Sequence, residues 1–412
     1  MSRINVIFRK LSINNYSIVK LLALLDEKFS CGNIELKVWQ NFEDIKDILT
    51  GKGINVFAYS FMTPLLEQVS IEIEQLLKLI SHNDWLIAGG VHPTIDPFGC
   101  LKIGFDRVFC SESERTLISF FEKLLDGSEK KNDKQIVMDE NENPISLDDY
   151  PPFPVNKKIF VPIELSRGCY NACTFCCSPR IYHSTIRFRS AEGLKQPFTE
   201  MKKNNRRKLF FVTSNILSYR INGDTEGYES LITLCEQAYS YNLTDIHLGS
   251  FPSEIRPEYL DEKFMEIFDK YCINRNIVIG AQSGSKRMLK ILKRGHTVQD
   301  VKNAAIMCRK YKFVPMVDFI FGLPDETKED REQTLDLIEW LLKNAGAKIH
   351  PHYFISFPGT PLWGIEPQYL DTKTLAYLEK LDKFGKSFGD IKSQEKLSRK
   401  IFSWKQKGKI LV

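Results

Sequence analysis

No apolar run in this 412-residue chain approaches the roughly 20 residues that cross a bilayer, so no membrane span is expected. The first residues, Met-Ser-Arg-Ile-Asn-Val-Ile-Phe-Arg-Lys, lack a long apolar core and a small-residue cleavage site, which argues against a secretory leader. Without an oxidising destination, a disulfide framework is not expected, and the 10 cysteines read as reduced thiols and metal ligands in a cytoplasmic protein. No second Cys-x2-Cys pair stands where a zinc ribbon needs one. Charge of one sign is also modest. The net +5 is concentrated from Asp371 to the end, where eleven Lys and Arg face five Asp and Glu. A solvated basic surface helix accounts for that surplus more simply than nucleic-acid binding, which is not expected.

What is present is an ordinary globular composition, 43% hydrophobic and 26% charged, with length for two domains. Residues 1–125 alternate strand-like and helix-like segments. Strands are predicted at Ile4–Phe8, Ile34–Val38, Asn55–Phe61, Trp85–Ala88 and Arg107–Cys110, with helices between them. This alternation implies an α/β fold with a doubly wound parallel sheet, whose ligands bind at the carboxyl ends of the strands. Residues 126–158 turn polar and then Pro-rich, as a linker does, with a short edge strand allowed at Ile136–Met138. Alternation resumes in 159–365. Strands are expected at Phe160–Leu165, Leu209–Thr213, Asp245–Gly249, Ile277–Gly280, Val317–Phe321 and His350–Ile355, making a partial (β/α)6 barrel. A capping box, Thr327 with Asp330, starts one intervening helix. Residues 366–412 read as a basic C-terminal tail.

The chemistry-bearing motif is Cys169-Tyr-Asn-Ala-Cys173-Thr-Phe175-Cys176, directly after the first strand of this second region. Three thiolates at C-x3-C-x2-C spacing suit a [4Fe–4S] cluster with one iron left open, because such clusters are normally held by four cysteines. A zinc site completed by Cys177 or His183 is the competing reading, although adjacent Cys176 and Cys177 converge poorly on one ion.

The motif, with Phe175 before its last cysteine, resembles that of the radical S-adenosylmethionine (SAM) enzymes. The resemblance implies SAM on the open iron, a 5′-deoxyadenosyl radical from its reductive cleavage, and a low-potential electron donor such as ferredoxin or flavodoxin. Other segments carry the same likeness. Gly280-Ala281-Gln282-Ser283-Gly284-Ser285 is similar to a SAM-pocket element of methylthiotransferases, placing Gln282 and Ser283 among cofactor contacts. Arg256, after the third strand, is a candidate clamp on the SAM carboxylate, with an ion pair to Glu254 or Glu258 as the alternative. Thr213, Ser214 and Asn215 end the second strand, where family members contact the SAM amino group; a helix cap is the alternative. The Phe-Gly-Leu-Pro and Phe-Pro-Gly-Thr-Pro runs match the methylthiotransferase-like subgroup. Asp318 reads either as a buried functional acid or as a lumen residue bonded to a neighbour, and His350 and His352, on one face of the last strand, read equally as cavity residues or as half-buried histidines at a strand start.

The N-terminal sheet resembles the cobalamin-binding domain of B12-dependent radical SAM enzymes. The matching residues are Gly89, Gly90 and His92 after the fourth strand, with Ser60 and Thr63 after the third able to bond a cofactor tail. No Asp-x-His-x-x-Gly occurs in 1–125, so no lower histidine ligand to cobalt is expected, and Ser111-Glu112-Ser113-Glu114 replaces the usual Gly-Glu-Gly-Glu. The implied activity is cobalamin-dependent methyl transfer to an unactivated carbon of an unknown substrate. Two alternatives stand beside it: a methylthiotransferase-like reaction, whose extra cluster cysteines Cys31, Cys100 and Cys110 do not match in placement, and a non-catalytic cobalamin or iron–sulfur sensor or electron carrier.

Overall fold

Strands β1 (Ile4–Arg9), β2 (Ile34–Trp39), β3 (Ile54–Ser60), β4 (Trp85–Gly89), β5 (Arg107–Phe109) and β6 (Ile136–Val137) form a single sheet in the computed structural model. All residues are described except 1–2, 12–13, 30–31, 50–52, 142 and 183–184, and the side chain of Asn156. The strand order is β2-β1-β3-β4-β5-β6 and every pair is parallel. Because parallel crossovers put helices on both faces, the strands read as continuous apolar runs, and all six residues of β1 are buried. Val6, Phe8, Val56, Ala58, Trp85 and Ile87 pack with Ile18, Leu22, Leu117 and Phe121 of helices Asn15–Lys28 and Glu114–Asp126. The alternate residues Ile7, Phe57 and Leu86 turn to the other face and are fully buried there. Strand order reverses between β1 and β3, the switch point at which open α/β sheets bind ligands.

Chain contacts divide the molecule into two units, 1–161 with 404–412, and 162–403. The division corrects the sequence-based boundaries at two places. Residues 126–158 belong to the first unit. The buried Arg107 guanidinium needs acceptors, and this stretch supplies them through Glu129 (2.7 Å) and the Lys131 carbonyl (3.2 Å), while Ile145, Leu147 and Phe153 are buried. The expected tail is also folded. Helices Thr372–Lys383 and Ile391–Gln406 bury Leu378, Leu381, Ile401 and Trp404. The charge surplus sits on the remaining faces of helices whose apolar spacing governs their packing.

The second unit carries β7 (Ile163–Glu164), β8 (Ser166–Arg167), β9 (Arg187–Phe188), β10 (Lys208–Val212), β11 (Asp245–His247), β12 (Asn276–Gln282), β13 (Val314–Phe321) and β14 (Lys348–Tyr353). Two parallel three-stranded sheets, β11-β10-β7 and β12-β13-β14, form the barrel wall, and β8 pairs antiparallel with β9. Isolated bridges Ile246↔Cys272 and Ile255↔Ile279 add pairing beside β11 and β12. In β13 the fully buried Val317, Phe319 and Phe321 alternate with the half-buried Met316 and Asp318, which fixes the latter pair on the lumen side. The edge strand β14 is not left open. Ile349 donates to the Lys386 carbonyl (2.9 Å) and accepts from Phe388 (3.0 Å), and Ser398 Oγ donates to the Phe354 carbonyl (2.6 Å).

Candidate active site

The cysteine loop leaves β8 through Gly168, whose φ of +88° suits glycine, and is pinned at its middle by Thr174. Thr174 N donates to the Leu292 carbonyl (3.1 Å) and its Oγ1 to that of Ile291 (3.3 Å). Arg180 closes the loop from behind by donating to the Cys176 carbonyl (2.7 Å). Cys173 is buried, whereas Cys169 and Cys176 are partly open. Burial raises the Cys176 thiol, and the charges of Cys173 and Cys169 act on it in the same direction, so the three sulfurs share one locality. They nevertheless stand farther apart than ligands of a single ion. Among the described residues, the only trio of candidate ligand atoms within 4.8 Å of one another is Asp318, His350 and His352. Thiols that are neighbours but not convergent fit the edge of a multi-iron cluster better than a tetrahedral zinc. Cys177 is held up at about 11 by burial, and His183 lies outside the described residues.

Two arginines face the buried sulfur. Arg256 Nη1 lies 3.8 Å and Arg294 Nη1 3.5 Å from Cys173 Sγ. Arg256 is also engaged by Glu258 (2.6 Å) and by the Arg294 carbonyl, so of the two ion pairs weighed for it the one with Glu258 is formed. Arg294 bonds the Gly280 carbonyl as well (2.7 Å), and burial lowers its guanidinium below the usual value. Nearby, His296 contacts the Ala281 carbonyl (3.1 Å) and is pushed down to about 3 by burial and by Arg294. Nothing in the sequence marks Arg294 or His296. The run Arg-Gly-His after a helix carries no spacing signal, and closure of the barrel alone brings it to the cysteines.

Thr213, Ser214 and Asn215 tie the end of β10 to this centre. Thr213 Oγ1 meets Ser166 Oγ (2.5 Å), Ser214 Oγ donates to the Gly168 carbonyl (3.3 Å), and Asn215 Oδ1 accepts from Arg256 N (3.2 Å). Gln282 sits at a bulge after Gly280 with φ +70°, which turns it onto the cavity. Ser283 goes the other way. Its hydroxyl meets Thr334 (3.3 Å) and accepts from Ser285 N (3.1 Å), so the turn formation weighed for this segment, not a cofactor contact, explains it. Gly284 is required there because a Cβ would lie 2.5 Å from the Gln333 carbonyl.

Beside the cysteines is a cavity of about 260 Å³ lined by Phe175, Gln282, Asp318, Ile320, His352 and Phe354, among others. Phe175 packs with Met288, Leu292, Ile320 and Phe354, forming the apolar end. At the polar end, Asp318 Oδ1 faces His350 Nδ1 (3.1 Å) and His352 Nε2 (3.7 Å). Burial would raise the Asp318 carboxyl, but the bonds from the two imidazoles outweigh it and hold the group below its usual value. Glu254 is raised to about 7, by burial first and then by Asp318.

In the first unit, the residues expected to meet a cofactor tail are largely spent on each other. His92 is fully buried, and its Nδ1 meets Thr63 Oγ1 (3.1 Å). Ser60 Oγ donates to Ser17 (3.0 Å). Gly90 has φ +92°, and a Cβ there would come within 2.8 Å of Ser60 Oγ, so close strand-end packing already demands that glycine. Gly89 has only an ordinary neighbour, the Phe109 carbonyl at 3.5 Å from a built Cβ. Thr63 and the Nδ1 of His92 are thus engaged with each other, while the His92 Nε2 is enclosed without a hydrogen-bond partner.

Residues 163–338 match the Radical SAM superfamily. An uncharacterized protein of Methanocaldococcus jannaschii is 25% identical over 381 residues, 79% of this chain and 72% of that one. A threonylcarbamoyladenosine tRNA methylthiotransferase of Thermotoga maritima is 23% identical over 323 residues, covering 76% and 70%. Among solved structures, the radical SAM methyltransferase TsrM of Kitasatospora setae, with cobalamin and a [4Fe–4S] cluster bound, aligns with TM-score 0.65 at 14% identity over 88% of this chain and 74% of that chain. The cobalamin-dependent radical enzyme OxsB, with aqua-cobalamin bound, aligns with TM-score 0.63 at 18% identity over 82% and 52%. The fold is shared with these structures. With its three-cysteine loop set at the end of the first barrel strand, the segment 163–338 is a radical SAM domain, of the kind that works with a [4Fe–4S] cluster and SAM, and the chain is an enzyme that carries this domain.

Proposed function

We propose that the enzyme binds cobalamin on its N-terminal sheet and transfers a methyl group to an unactivated carbon. The observation that carries this reading is the pairing of a parallel sheet of order β2-β1-β3-β4-β5-β6 with a radical SAM domain, the arrangement whose fold is shared with cobalamin-bound structures. When bound, the cluster with SAM supplies a 5′-deoxyadenosyl radical, and cobalamin supplies a transferable methyl group. Cys169, Cys173 and Cys176 would hold the cluster, with Arg256 and Arg294 offsetting its negative charge. Ser214 and Gln282 would contact SAM, with Thr213, Asn215 and Arg256 fixing the strand ends around it. Phe175, Ile320 and Phe354 keep water from the reacting carbon, a role that a radical intermediate demands. On the sheet, Ser60 ends β3 at the switch point and Gly89 and Gly90 end the neighbouring β4, so these would meet the cofactor tail. Residues 1–125 carry no Asp-x-His-x-x-Gly, so cobalamin would be held there without that motif's histidine. A low-potential donor of the ferredoxin or flavodoxin type would supply the electron.

The test is to count cobalamin and iron in anaerobically reconstituted protein and to assay deoxyadenosine. Near-stoichiometric cobalamin, about four irons and deoxyadenosine that disappears in Cys173→Ala support the reading. A full cluster without cobalamin would sink methyl transfer while leaving radical SAM chemistry intact. The methylthiotransferase reading is favoured by the relative in Thermotoga maritima and requires a second cluster, hence about eight irons. Cys100 and Cys110 are buried in the first unit, and Cys31 lies outside the described residues. Absence of SAM consumption by cluster-loaded protein would instead favour the sensor or carrier.

A further inference from the structure

We propose that Asp318, His350 and His352 form a second metal site, one for a divalent transition ion of the zinc or iron(II) class. The cyclic arrangement of donors is specific. Asp318 lies opposite His350 in the β13–β14 register, and His352 lies two residues on, opposite Ile320. All three residues therefore project to the same lumen face. Their ligand atoms lie within 4.8 Å of one another, with Asp318 Oδ1 at 3.1 Å from His350 Nδ1 and 3.7 Å from His352 Nε2. Donors about 2.0–2.2 Å from one ion stand roughly 3.0–3.6 Å apart, so these separations need little adjustment.

Both imidazoles are aimed at the same Asp318 oxygen, an arrangement that two N–H donors or one shared cation satisfies. The two rings are 3.9 Å apart between centroids. Two imidazolium rings at that distance repel, which favours at least one neutral ring, and a neutral ring with its proton on the far nitrogen offers its lone pair to a cation. A divalent ion takes all three donors at once. The site is also built to hold its ligands in place. Phe388 stacks on His350 at 4.3 Å, and Gly389 lies so close that a Cβ would come within 2.8 Å of the ring. Clamping an imidazole in this way fixes which nitrogen faces the ion. Two histidines and one carboxylate leave coordination positions open, as in catalytic zinc and non-haem iron sites. Asp318 and His352 line the cavity, so the open side faces Phe175 and Gln282. An oxygen donor of the substrate, such as a carboxylate or hydroxyl, is the ligand that would complete the shell.

The site does not depend on cobalamin. Its test uses Zn(II) as probe on chelator-washed, cluster-reconstituted full-length protein, with zinc and iron counted after gel filtration. The expected result is about one zinc per chain with only nitrogen and oxygen ligands by zinc-edge X-ray absorption. His352→Ala and Asp318→Asn should each weaken zinc binding at least about tenfold while iron stays near four per chain. His350→Ala is secondary because Phe388 packs on that ring. No zinc uptake by the wild type, equal uptake by the variants, or sulfur in the zinc shell overturns the proposal. A wild type that fails to hold iron would count against the cluster assignment instead, so the two readings fail separately.

Discussion

Arg294 donates to the sulfur of Cys173 at 3.5 Å across 121 residues of sequence, and does so while more than nine-tenths buried. A buried guanidinium is tolerated only where acceptors meet it, and here they are a proposed cluster thiolate and the Gly280 carbonyl. Hydrogen bonds to cluster sulfurs and nearby positive charge favour the reduced, more negative state. Arg294→Met should therefore keep near-full iron but shift the cluster potential downward by on the order of tens of millivolts. Deoxyadenosine formation should slow accordingly. Spectroelectrochemical titration of the reconstituted protein checks this, and an unchanged potential would assign Arg294 a packing role only.

His92 predicts how the first unit responds to acid. Burial pushes its imidazole down to about 4, and the ring is fully enclosed. The unfolded chain binds this proton near pH 6.5 and the folded chain only near 4, so the unfolded state holds more protons in that window. The resulting stability is complete above pH 6.5 and is lost as pH falls toward 4, by about 3 kcal/mol at most. His92→Gln should flatten this dependence. Melting temperatures at about pH 7.5 and about pH 5, either side of the unfolded-state value, are the measurement, and an equal loss in both proteins would refute the assignment.

The pair Arg9–Glu72 holds the carboxyl end of β1. Nη2 and Nε of Arg9 meet the two carboxylate oxygens at 2.6 and 2.9 Å, both side chains are about nine-tenths buried or more, and the guanidinium lies 4.3 Å over Trp39. Removing one partner strands the other charge in a low-dielectric site. Glu72→Ala is expected to cost about 3–5 kcal/mol. The double change Arg9→Met, Glu72→Met should cost much less than Glu72→Ala alone, because no orphan charge remains. Urea denaturation of the three proteins separates these outcomes.

Much of the fold is legible in the sequence because its signals are local. The cysteine loop is a matter of spacing, and the capping box of Thr327 and Asp330 is present with both of its bonds. The six barrel strands appear within a few residues of their expected places, since strand-to-helix alternation is itself a short-range pattern. The side chain of a polar residue at a strand end is different. Ser283 and Gln282 are neighbours, yet a bulge sends one to Thr334 and the other to the cavity. His92 follows Gly89 and Gly90, where a ligand is expected, but packing turns it to Thr63. Charge marks the C-terminal helices as a tail, while Leu378, Leu381, Ile401 and Trp404 carry the opposite message at helical spacing. Arg294 has no local signal at all.

Gln282 shows a conflict between backbone comfort and side-chain placement that can be measured. Its φ of +70° lies in the left-handed region, where a residue with a Cβ is strained by about 1–2 kcal/mol and glycine is not. No turn requires an amide side chain at this bulge, but the cavity places that amide beside Phe175 and Asp318. The strain is thus retained at a position facing the proposed SAM and substrate space, as functional sites often do. Gln282→Gly should raise the melting temperature by a degree or more, since even ~0.5 kcal/mol shifts it measurably, while weakening SAM binding and deoxyadenosine yield. Gln282→Ala keeps the strain and loses the amide, so it should be no more stable than the wild type and equally impaired. A glycine variant that is stabilised and fully active would show that the amide serves neither SAM nor substrate.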